Sequence, residues 1–333
     1  MPNWIGDSVC ATPIIAALRR AYPQAKITAM CRGYIASLFA RDPAIDALFS
    51  FSPNGALCRR EDARNLRKKL RMGQYDLGLL LTHSFSSAWQ FWTGKVKKRV
   101  GFNKDGRRLF LTTALALPKQ REHIVATYQR LLAPLGIQES MSPPKLYVTD
   151  KEKQEARRFL TQYCVQSDHV LIGVHPGAAY GSAKCWLPER FRALSEKLLA
   201  CNPSYVLLFL GSVEQKELIQ RIAKDLPARV VTLAGQTNLR QLMALMTQLD
   251  VLVTNDSGPM HIADGLAIPV VALFGSTDPR KTHPYRQKES VISVQPACAP
   301  CFQRVCPIDL RCMKGITVDR VFDRVLAQLN KKR

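Results

Sequence analysis

The chain has 333 residues, 47% of them hydrophobic, and its 48 basic and 26 acidic side chains give a formal net charge of +22. This length favours two domains. No apolar run reaches the ~18 residues of a membrane-spanning helix, and residues 1–20 lack the charged-then-apolar order of a signal peptide, so we expect a cytoplasmic protein. The positive excess favours an anionic partner, such as nucleic acid, an anionic membrane face or a phosphorylated substrate.

Strand and helix patterns alternate in the first half of the chain. They predict a helix at residues 8–22, a strand at 26–30, helices at 34–40 and 60–71, a strand at 75–81 and a helix at 123–135. A doubly wound domain normally begins with a buried strand that leads into its first loop, whereas Met1 enters that loop directly. The first strand is therefore either missing from this sequence or replaced by another segment.

The alternation is clearer in the second half. Strands are expected at residues 169–174, 205–210, 230–233, 251–254 and 270–274, and helices at 188–200, 213–226, 239–249 and 262–267. This pattern predicts an α/β fold with mostly parallel sheets. Residues 136–144 have a linker's composition, which gives an N-terminal domain at 1–145 and a C-terminal domain at 146–317. The last helix, within 318–333, is a candidate to pack back onto the first domain.

The first candidate site is the N-terminal loop, in which Gly6 precedes Asp7 at the mouth of the first helix. Aspartate is a favoured N-cap residue, so Asp7 has a purely structural interpretation. A carboxylate in this place could instead project into a cleft as a general base. For a sugar transfer, such a base removes the proton from the acceptor hydroxyl.

Two segments of the second half place polar residues where a strand ends and a helix begins. Gly177 lies in a small-residue loop after the first of these strands, and Lys184 lies later in that loop. Lys184 is either an exposed lysine or a point charge for a phosphate. Asp256, Ser257 and Gly258 follow the strand at 251–254, where free backbone N–H groups and the positive end of a helix dipole bind anions.

Two further residues lie near this second junction. His261 is either part of the same site or a histidine on a helix face with an ordinary structural role. Thr277 belongs to the loop at residues 275–279, which could close round the same nucleotide.

Four cysteines lie within fifteen residues, at positions Cys298, Cys301, Cys306 and Cys312. Thiolates at short spacing suit a tetrahedral zinc site, but the spacing is not that of two CxxC pairs. A reduced, packed cysteine loop is the favoured interpretation, and no metal is expected. Because no export signal accompanies the ten cysteines, we do not expect a disulfide framework.

The basic residues of the first half form two clusters. One contains Arg59, Arg60, Arg64, Arg67, Lys68, Lys69 and Arg71, and the other contains Lys95, Lys97, Lys98, Arg99, Lys104, Arg107 and Arg108. Each is either a solvated surface or a binding surface for an anion.

Together these segments resemble the ADP-heptose:lipopolysaccharide heptosyltransferases of glycosyltransferase family 9, most closely the heptosyltransferase II branch. The matching segments run in order along almost the whole chain: Pro-Asn-Trp-Ile-Gly-Asp at 2–7, His-Pro-Gly at 175–177 with Lys184 and Trp-Leu-Pro at 186–188, Asn-Asp-Ser-Gly-Pro-Met-His at 255–261, Phe-Gly-Ser-Thr-Asp-Pro at 274–279, and Pro-Cys-Phe-Gln-Arg-Val-Cys-Pro at 300–307. Members of this family usually carry several residues before the first of these loops, so the missing first strand is a departure that bears on the placement of Asp7.

The resemblance implies a GT-B architecture, in which two Rossmann-like domains face each other across a cleft, and an inverting transferase without a metal or other cofactor. It implies that Asp7 is the base and that ADP-heptose is held by Lys184 and Asp256, in a donor site with Ser257, Gly258, His261, Gly177 and Thr277. The acceptor is the Kdo-bearing lipid A core of lipopolysaccharide on the inner face of the cytoplasmic membrane. The two basic clusters would then meet phosphate, carboxylates and anionic lipid.

Three alternatives remain open at this stage. One is a related transferase with another nucleotide sugar or a surface-polysaccharide acceptor, and the second is an inactive sugar-binding relative. The third is a nucleic-acid-binding protein, suggested by charge alone. No nucleic-acid partner is expected, because the sequence lacks zinc-finger, helix-turn-helix and RNA-recognition signatures.

Overall fold

The structure is a computed structural model that describes residues 1–51, 59–138 and 142–332. The side chains of Arg59, Arg60 and Lys332 are outside this description, as are the whole residues 52–58 and 139–141. The chain forms two compact units, Met1–Pro144 and Lys145–Arg333, called unit 1 and unit 2 below.

The described residues of unit 1 form five strands in two parallel sheets. The strands are β1 (Thr28–Arg32), β2 (Ala47–Phe51), β3 (Leu77–Leu80), β4 (Lys98–Phe102) and β5 (Thr113–Leu115). The helices are α1 (Ile5–Cys10), α2 (Thr12–Ala21), α3 (Gly33–Ala36), α4 (Arg59–Met72), α5 (Phe85–Thr93) and α6 (Ile124–Gln129), with 3₁₀ turns at Ser37–Phe39, Arg107–Phe110 and Arg130–Leu135. One sheet pairs β1 with β2, and the other has the order β3-β4-β5.

Unit 2 contains one six-stranded parallel sheet. Its strands are β6 (Val170–His175), β7 (Tyr205–Phe209), β8 (Val230–Thr232), β9 (Val251–Asn255), β10 (Val270–Phe274) and β11 (Val291–Ser293). Its helices are α7 (Asp150–Thr161), α8 (Pro188–Cys201), α9 (Lys216–Ala223), α10 (Leu239–Met246), α11 (Gly258–Gly265), α12 (Pro279–Thr282), α13 (Arg311–Lys314) and α14 (Val318–Lys332), with 3₁₀ turns at Ser182–Lys184, Val213–Gln215 and Lys288–Ser290. The strand order is β11-β10-β9-β6-β7-β8.

The core of unit 2 explains why its strands are easy to recognise. Every residue of β7, β9 and β10 is buried. A parallel sheet covered by helices on both faces is buried on both sides, so its strands read as continuous apolar runs. The buried parallel sheet confirms the α/β fold predicted from the sequence. Because β6 and β9 pair in parallel, their carboxyl ends lie side by side.

Several elements differ from the sequence predictions. The sequence did not predict β2, β4, β5, β11, α5 or α7. The predicted helix at residues 8–22 is two helices, α1 and α2, and α11 begins at Gly258, earlier than the predicted residue 262. The expected linker at 136–144 lies partly outside the described residues.

The last helix, α14, belongs to the second unit and packs against its sheet. Its residues Val321, Val325 and Leu329 belong to the main hydrophobic core of unit 2. The helix packs against α8, β9 and β10. Its burial therefore completes the second unit.

Candidate functional site

The sheet of unit 2 has a topological switch point between β6 and β9. From β6 the chain builds outward through β7 and β8, and it then returns to the other side of β6 to form β9. In open α/β sheets, ligands bind in the crevice outside the carboxyl ends of the strands at this point. Here those ends are His175 on β6 and Asn255 on β9.

Three residues predicted from the sequence meet at this switch point. The Nζ atom of Lys184 lies 2.5 Å from Oδ2 of Asp256, and the Thr277 hydroxyl donates a hydrogen bond of 2.6 Å to the same oxygen. The lysine side chain is 14% exposed and the aspartate side chain 4% exposed. A cation, an anion and a hydroxyl are therefore held together with little exposure to solvent.

The Asn255 side chain fixes the loop that carries Lys184. Its Nδ2 donates to the Pro176 carbonyl at 2.7 Å, and its Oδ1 accepts from the Trp186 backbone N–H at 3.0 Å. Trp186 is itself buried, with its indole N–H on the Ile316 carbonyl, and so packs rather than stacks on a base. These contacts tie both ends of the Lys184 loop to the end of β9.

The start of α11 forms the floor of the crevice. Ser257 is the N-cap residue, its side chain makes no capping hydrogen bond, and Gly258 is the first helical residue. The first turn of a helix presents backbone N–H groups without partners inside the helix, together with a partial positive charge. The Ser257 hydroxyl lies 3.2 Å from Thr254 Oγ1 and 3.4 Å from Nδ1 of the buried His175.

The two buried histidines of this region are neutral near pH 7. Burial lowers the pKa of His175 to about 4. Burial also lowers the pKa of His261 to about 4, with an opposing effect from the charge of Asp256 and a reinforcing one from Lys184. His261 therefore lies close to the Lys184–Asp256 pair as an uncharged hydrogen-bonding group on α11.

Gly177, in the loop after β6, lets the Gln215 side chain approach the backbone closely. A Cβ atom added to this residue would lie 1.8 Å from Nε2 of Gln215. Any larger residue would displace the Gln215 side chain or the loop. All seven predicted donor-site residues thus lie in unit 2, in the loops after β6, β9 and β10 or on α11.

Asp7 lies in unit 1, at the third position of α1. The N-cap position belongs to Trp4, whose side chain makes no capping hydrogen bond, so the interpretation of Asp7 as the N-cap is wrong. Asp7 is half-buried in the positive first turn of the helix. Burial, and to a smaller extent the charge of Asp7, raises the pKa of the Tyr128 phenol, so the carboxylate lies near that ring.

Tyr180 lies against Lys184 and Arg304 lies against Tyr180, although the sequence pattern indicated neither residue. The Tyr180 ring centroid lies 4.9 Å from Lys184 Nζ and 5.4 Å from Arg304 Cζ. The Ala183 N–H donates to the Arg304 carbonyl, and the Phe302 N–H donates to the Ser276 carbonyl. The cysteine-containing segment therefore packs against the loops after both β6 and β10.

The family model described as Glycosyltransferase family 9 (heptosyltransferase) matches residues 63–311. The chain belongs to glycosyltransferase family 9. It is 29% identical over 301 residues to lipooligosaccharide heptosyltransferase 2 of Haemophilus influenzae, covering 87% of this chain and 86% of that relative. It is 28% identical over 303 residues to lipopolysaccharide heptosyltransferase 2 of Salmonella typhimurium, with coverage of 87% and 86%.

A solved heptosyltransferase structure has the same fold as this chain. The structure of Escherichia coli ADP-heptose lipopolysaccharide heptosyltransferase II aligns with a TM-score of 0.85 and 27% identity, over 99% of this chain and 97% of that one. Together with the parallel sheets of both units, this likeness confirms the GT-B fold class predicted from the sequence.

The cysteines of this family 9 chain form no metal site within the part of the chain that the structure describes. No group of three or more histidine, cysteine, aspartate or glutamate side chains there could hold a metal ion. Cys298, Cys301, Cys306 and Cys312 are free thiols.

The second basic cluster is only partly a surface feature. Arg107 is fully buried, and its guanidinium donates to the carbonyls of Phe102 and Thr82. Burial lowers its pKa from the usual value. Arg99 likewise donates to the Phe110 carbonyl. These two arginines stabilise loops, so a count of charges overstates the charge available for an anionic partner.

Exposed aromatic side chains lie close in sequence to the remaining basic residues. Phe85, Trp89 and Trp92 of α5 are between 39% and 47% exposed, and their rings surround Phe110 at centroid distances of 5.1 to 5.4 Å. Leu109 next to them is 85% exposed. Among the residues described, no helix is long and apolar enough to cross a membrane.

Proposed function

We propose that this family 9 glycosyltransferase moves L-glycero-D-manno-heptose from ADP-heptose to the inner core of lipopolysaccharide, with inversion at the anomeric carbon. The observation that carries the proposal is the cluster of Lys184, Asp256 and Thr277 at the topological switch point of unit 2. The similarity to heptosyltransferases, among them the E. coli ADP-heptose lipopolysaccharide heptosyltransferase II, supports this choice of donor.

The donor would be held by charge and by the backbone. Lys184 would neutralise the diphosphate, and the N–H groups at the start of α11 would donate to its oxygens. Asp256 would accept hydrogen bonds from sugar hydroxyls while its pairing with Lys184 keeps the ammonium in position. His261, which is uncharged near pH 7, would add a hydrogen bond without opposing the carboxylate.

The reaction proposed is a direct displacement. Asp7 takes the proton of the acceptor hydroxyl as that oxygen attacks the anomeric carbon of the heptose. The bond between that carbon and the diphosphate oxygen breaks on the opposite face, and its electron pair leaves with ADP. Lys184 and the α11 N–H groups stabilise the charge that develops on the diphosphate. Inversion follows because attack and departure occur on opposite faces.

The proposed acceptor places the enzyme at the inner face of the cytoplasmic membrane. Lipopolysaccharide core is polyanionic and anchored by lipid. Exposed aromatic rings beside lysine and arginine are typical of surfaces that lie in the headgroup region of an anionic bilayer. The surface formed by Phe85, Trp89, Trp92 and Leu109, with Lys95 and Arg108 nearby in sequence, has this composition. We propose it as the membrane contact and call it the aromatic surface.

A transfer assay with purified protein tests the proposed reaction. The protein is incubated with ADP-heptose and a Kdo–lipid A acceptor, prepared with and without a first heptose, and both ADP release and acceptor mass are measured. We expect the mass of one acceptor to rise by one heptose. Turnover only with a different nucleotide sugar would point to a related transferase, and donor binding without turnover would point to an inactive relative.

A vesicle assay tests the aromatic surface separately. Leu109→Ser removes an exposed apolar side chain of this surface, and Val213→Ser is the matched control because Val213 is 67% exposed in unit 2. We expect more wild-type protein to sediment with phosphatidylglycerol-containing vesicles than with purely zwitterionic ones. Leu109→Ser should reduce the sedimented fraction, whereas Val213→Ser should not. Equal sedimentation of both variants would contradict the membrane contact.

A further inference from the structure

Tyr180 gives the Lys184 ammonium a second contact besides Asp256. The Nζ atom of Lys184 lies 4.9 Å from the centroid of the Tyr180 ring and 2.5 Å from Oδ2 of Asp256. A cation over an aromatic ring, within about 6 Å of its centroid, is attracted by the quadrupole of the ring, and more strongly where water is excluded. The lysine side chain is mostly buried, so we expect the ring to restrain the ammonium.

The ring restrains this ammonium without using its hydrogen bonds. An ammonium has three N–H donors, and Asp256 accepts from one of them. Among the described residues, no other atom accepts a hydrogen bond from Lys184 Nζ. Because the attraction to the ring is electrostatic, the remaining donors stay available to an anionic ligand while the ammonium is held in place.

The ring is itself held by its hydroxyl group. The Tyr180 hydroxyl donates a hydrogen bond of 2.7 Å to the Phe302 carbonyl, and the Phe302 N–H donates to the Ser276 carbonyl at 2.8 Å. Phe302 has a φ of 55°, in the left-handed region that a large side chain rarely adopts. Such a conformation persists only where surrounding contacts hold it. Since both its N–H and its carbonyl are bonded, Phe302 is a fixed support for Tyr180.

Arg304 contacts the turn that leads to Lys184. The Ala183 N–H donates to the Arg304 carbonyl at 3.0 Å. Gly181 has a φ of 152°, and a Cβ atom added to it would lie 2.2 Å from the same carbonyl oxygen, so only glycine allows this approach. The segment at residues 302–304, called the brace below, is therefore fixed to this turn.

The brace also reaches the loop after β10. Its residue Phe302 is bonded to Ser276, which directly precedes Thr277. Lys184 and Thr277 both bond to the same oxygen of Asp256. One short segment is thus bonded to both loops that supply partners of Asp256, so its position influences the geometry of this cluster.

We propose that Tyr180 is a positioning residue of the proposed donor site, with the brace as its support. The ring keeps the Lys184 ammonium where the donor diphosphate would bind, and the Phe302 carbonyl keeps the ring in place. This inference rests on the proposed role of Lys184 in binding the diphosphate. Because Tyr180 acts through the lysine, its contribution to donor binding depends on the presence of that lysine.

A double-mutant cycle tests this dependence. Tyr180→Leu is made in the wild-type chain and in Lys184→Met, and the affinities for ADP-heptose and for ADP are measured by calorimetry. We expect Tyr180→Leu to weaken the binding of both ligands about 5- to 30-fold in the wild-type chain, and less than about twofold in Lys184→Met. A residue that only shaped the loop would weaken binding by the same factor in both chains, and that result would overturn the positioning role.

Tyr180→Phe tests the brace with a milder change. It keeps the ring and removes the hydrogen bond to the Phe302 carbonyl, so we expect donor affinity to fall about 2- to 10-fold. Tyr163→Phe is the matched control, because the Tyr163 hydroxyl donates a bond of 2.8 Å to Gln236, also in unit 2 but outside the loops after β6, β9 and β10. This control should bind the donor as the wild-type chain does. Wild-type affinity in Tyr180→Phe would overturn the support by the brace.

Two further readouts separate this inference from the proposed function. Urea denaturation shows that each variant is folded, and the transfer assay with ADP-heptose reports on the proposed function alone. If wild-type protein binds ADP but transfers no heptose, the proposed function fails, while the cycle measured with ADP still tests Tyr180. Equal losses of affinity in both chains, together with normal transfer by wild-type protein, would refute the positioning role alone.

Discussion

Replacing Lys184 by methionine removes the cation of the proposed donor site while keeping most of the length of the side chain. The structure gives two separate costs. The Lys184–Asp256 pair is almost buried, with exposures of 14% and 4%, and removing one partner of a buried pair costs about 3–5 kcal/mol of unfolding free energy. A charge-assisted hydrogen bond to the diphosphate would contribute about 1.5–3 kcal/mol to donor binding, so donor affinity should fall roughly 10- to 150-fold.

A double variant separates these two effects. In Lys184→Met with Asp256→Asn, no unpaired carboxylate remains, and the amide oxygen can still accept from Thr277, which donates to Asp256 at 2.6 Å. We expect the unfolding free energy, measured by urea denaturation, to recover most of its loss. Affinity for ADP-heptose, measured by calorimetry, should stay low because the cation is absent in both variants.

Lys153→Met is the matched control for this experiment. Lys153 also pairs with an aspartate, Asp150, at 2.9 Å, but on the surface, where the two side chains are 40% and 90% exposed. Such pairs contribute about 0–1 kcal/mol, so stability and donor affinity should barely change. Donor affinity that is unchanged in Lys184→Met, or that returns to the wild-type value together with stability in the double variant, would refute the phosphate role.

Two further predictions concern the base and a neighbouring cation. Asp7→Asn should lower transfer by about 10²–10⁴-fold with unchanged donor affinity, whereas Asp105→Asn, at an exposed loop position, should leave the rate unaltered. Arg304→Ala should weaken donor affinity about 2- to 5-fold, from the ~0.5–1 kcal/mol of its contact with the Tyr180 ring; equal affinity would exclude this support.

The contact among Lys184, Asp256 and Thr277 was largely predictable because these residues lie in loops that follow parallel strands. Parallel strands bring their carboxyl ends to one edge of a sheet, so Lys184, Asp256 and Thr277 meet although they are far apart in sequence. The contact of Tyr180 with Arg304 joins two loops more than 120 residues apart. Arg304 lies in the cysteine-containing segment and not in a loop that directly follows a strand, so no local pattern indicated that it would meet Tyr180.

The first half of the chain was harder to predict for physical reasons. The strand β4 begins with Lys98 and Arg99, which the sequence presented as part of a basic cluster. The helix α5 leaves large aromatic residues exposed, so it lacks the polar outer face by which surface helices are recognised. The burial of Arg107 depends on carbonyl groups supplied by the tertiary fold, which a count of charges does not reveal.

The most direct test of the proposed function is the mass of the lipopolysaccharide core from cells that lack the gene. The deletion strain is complemented with wild-type protein, with Asp7→Asn, or with Asp105→Asn as control, and the core oligosaccharides are compared by mass spectrometry. We predict that deletion shortens the core at one heptose, and that wild-type protein and Asp105→Asn restore it while Asp7→Asn does not. A core of unchanged mass after deletion, or full restoration by Asp7→Asn, would contradict heptose transfer by this site.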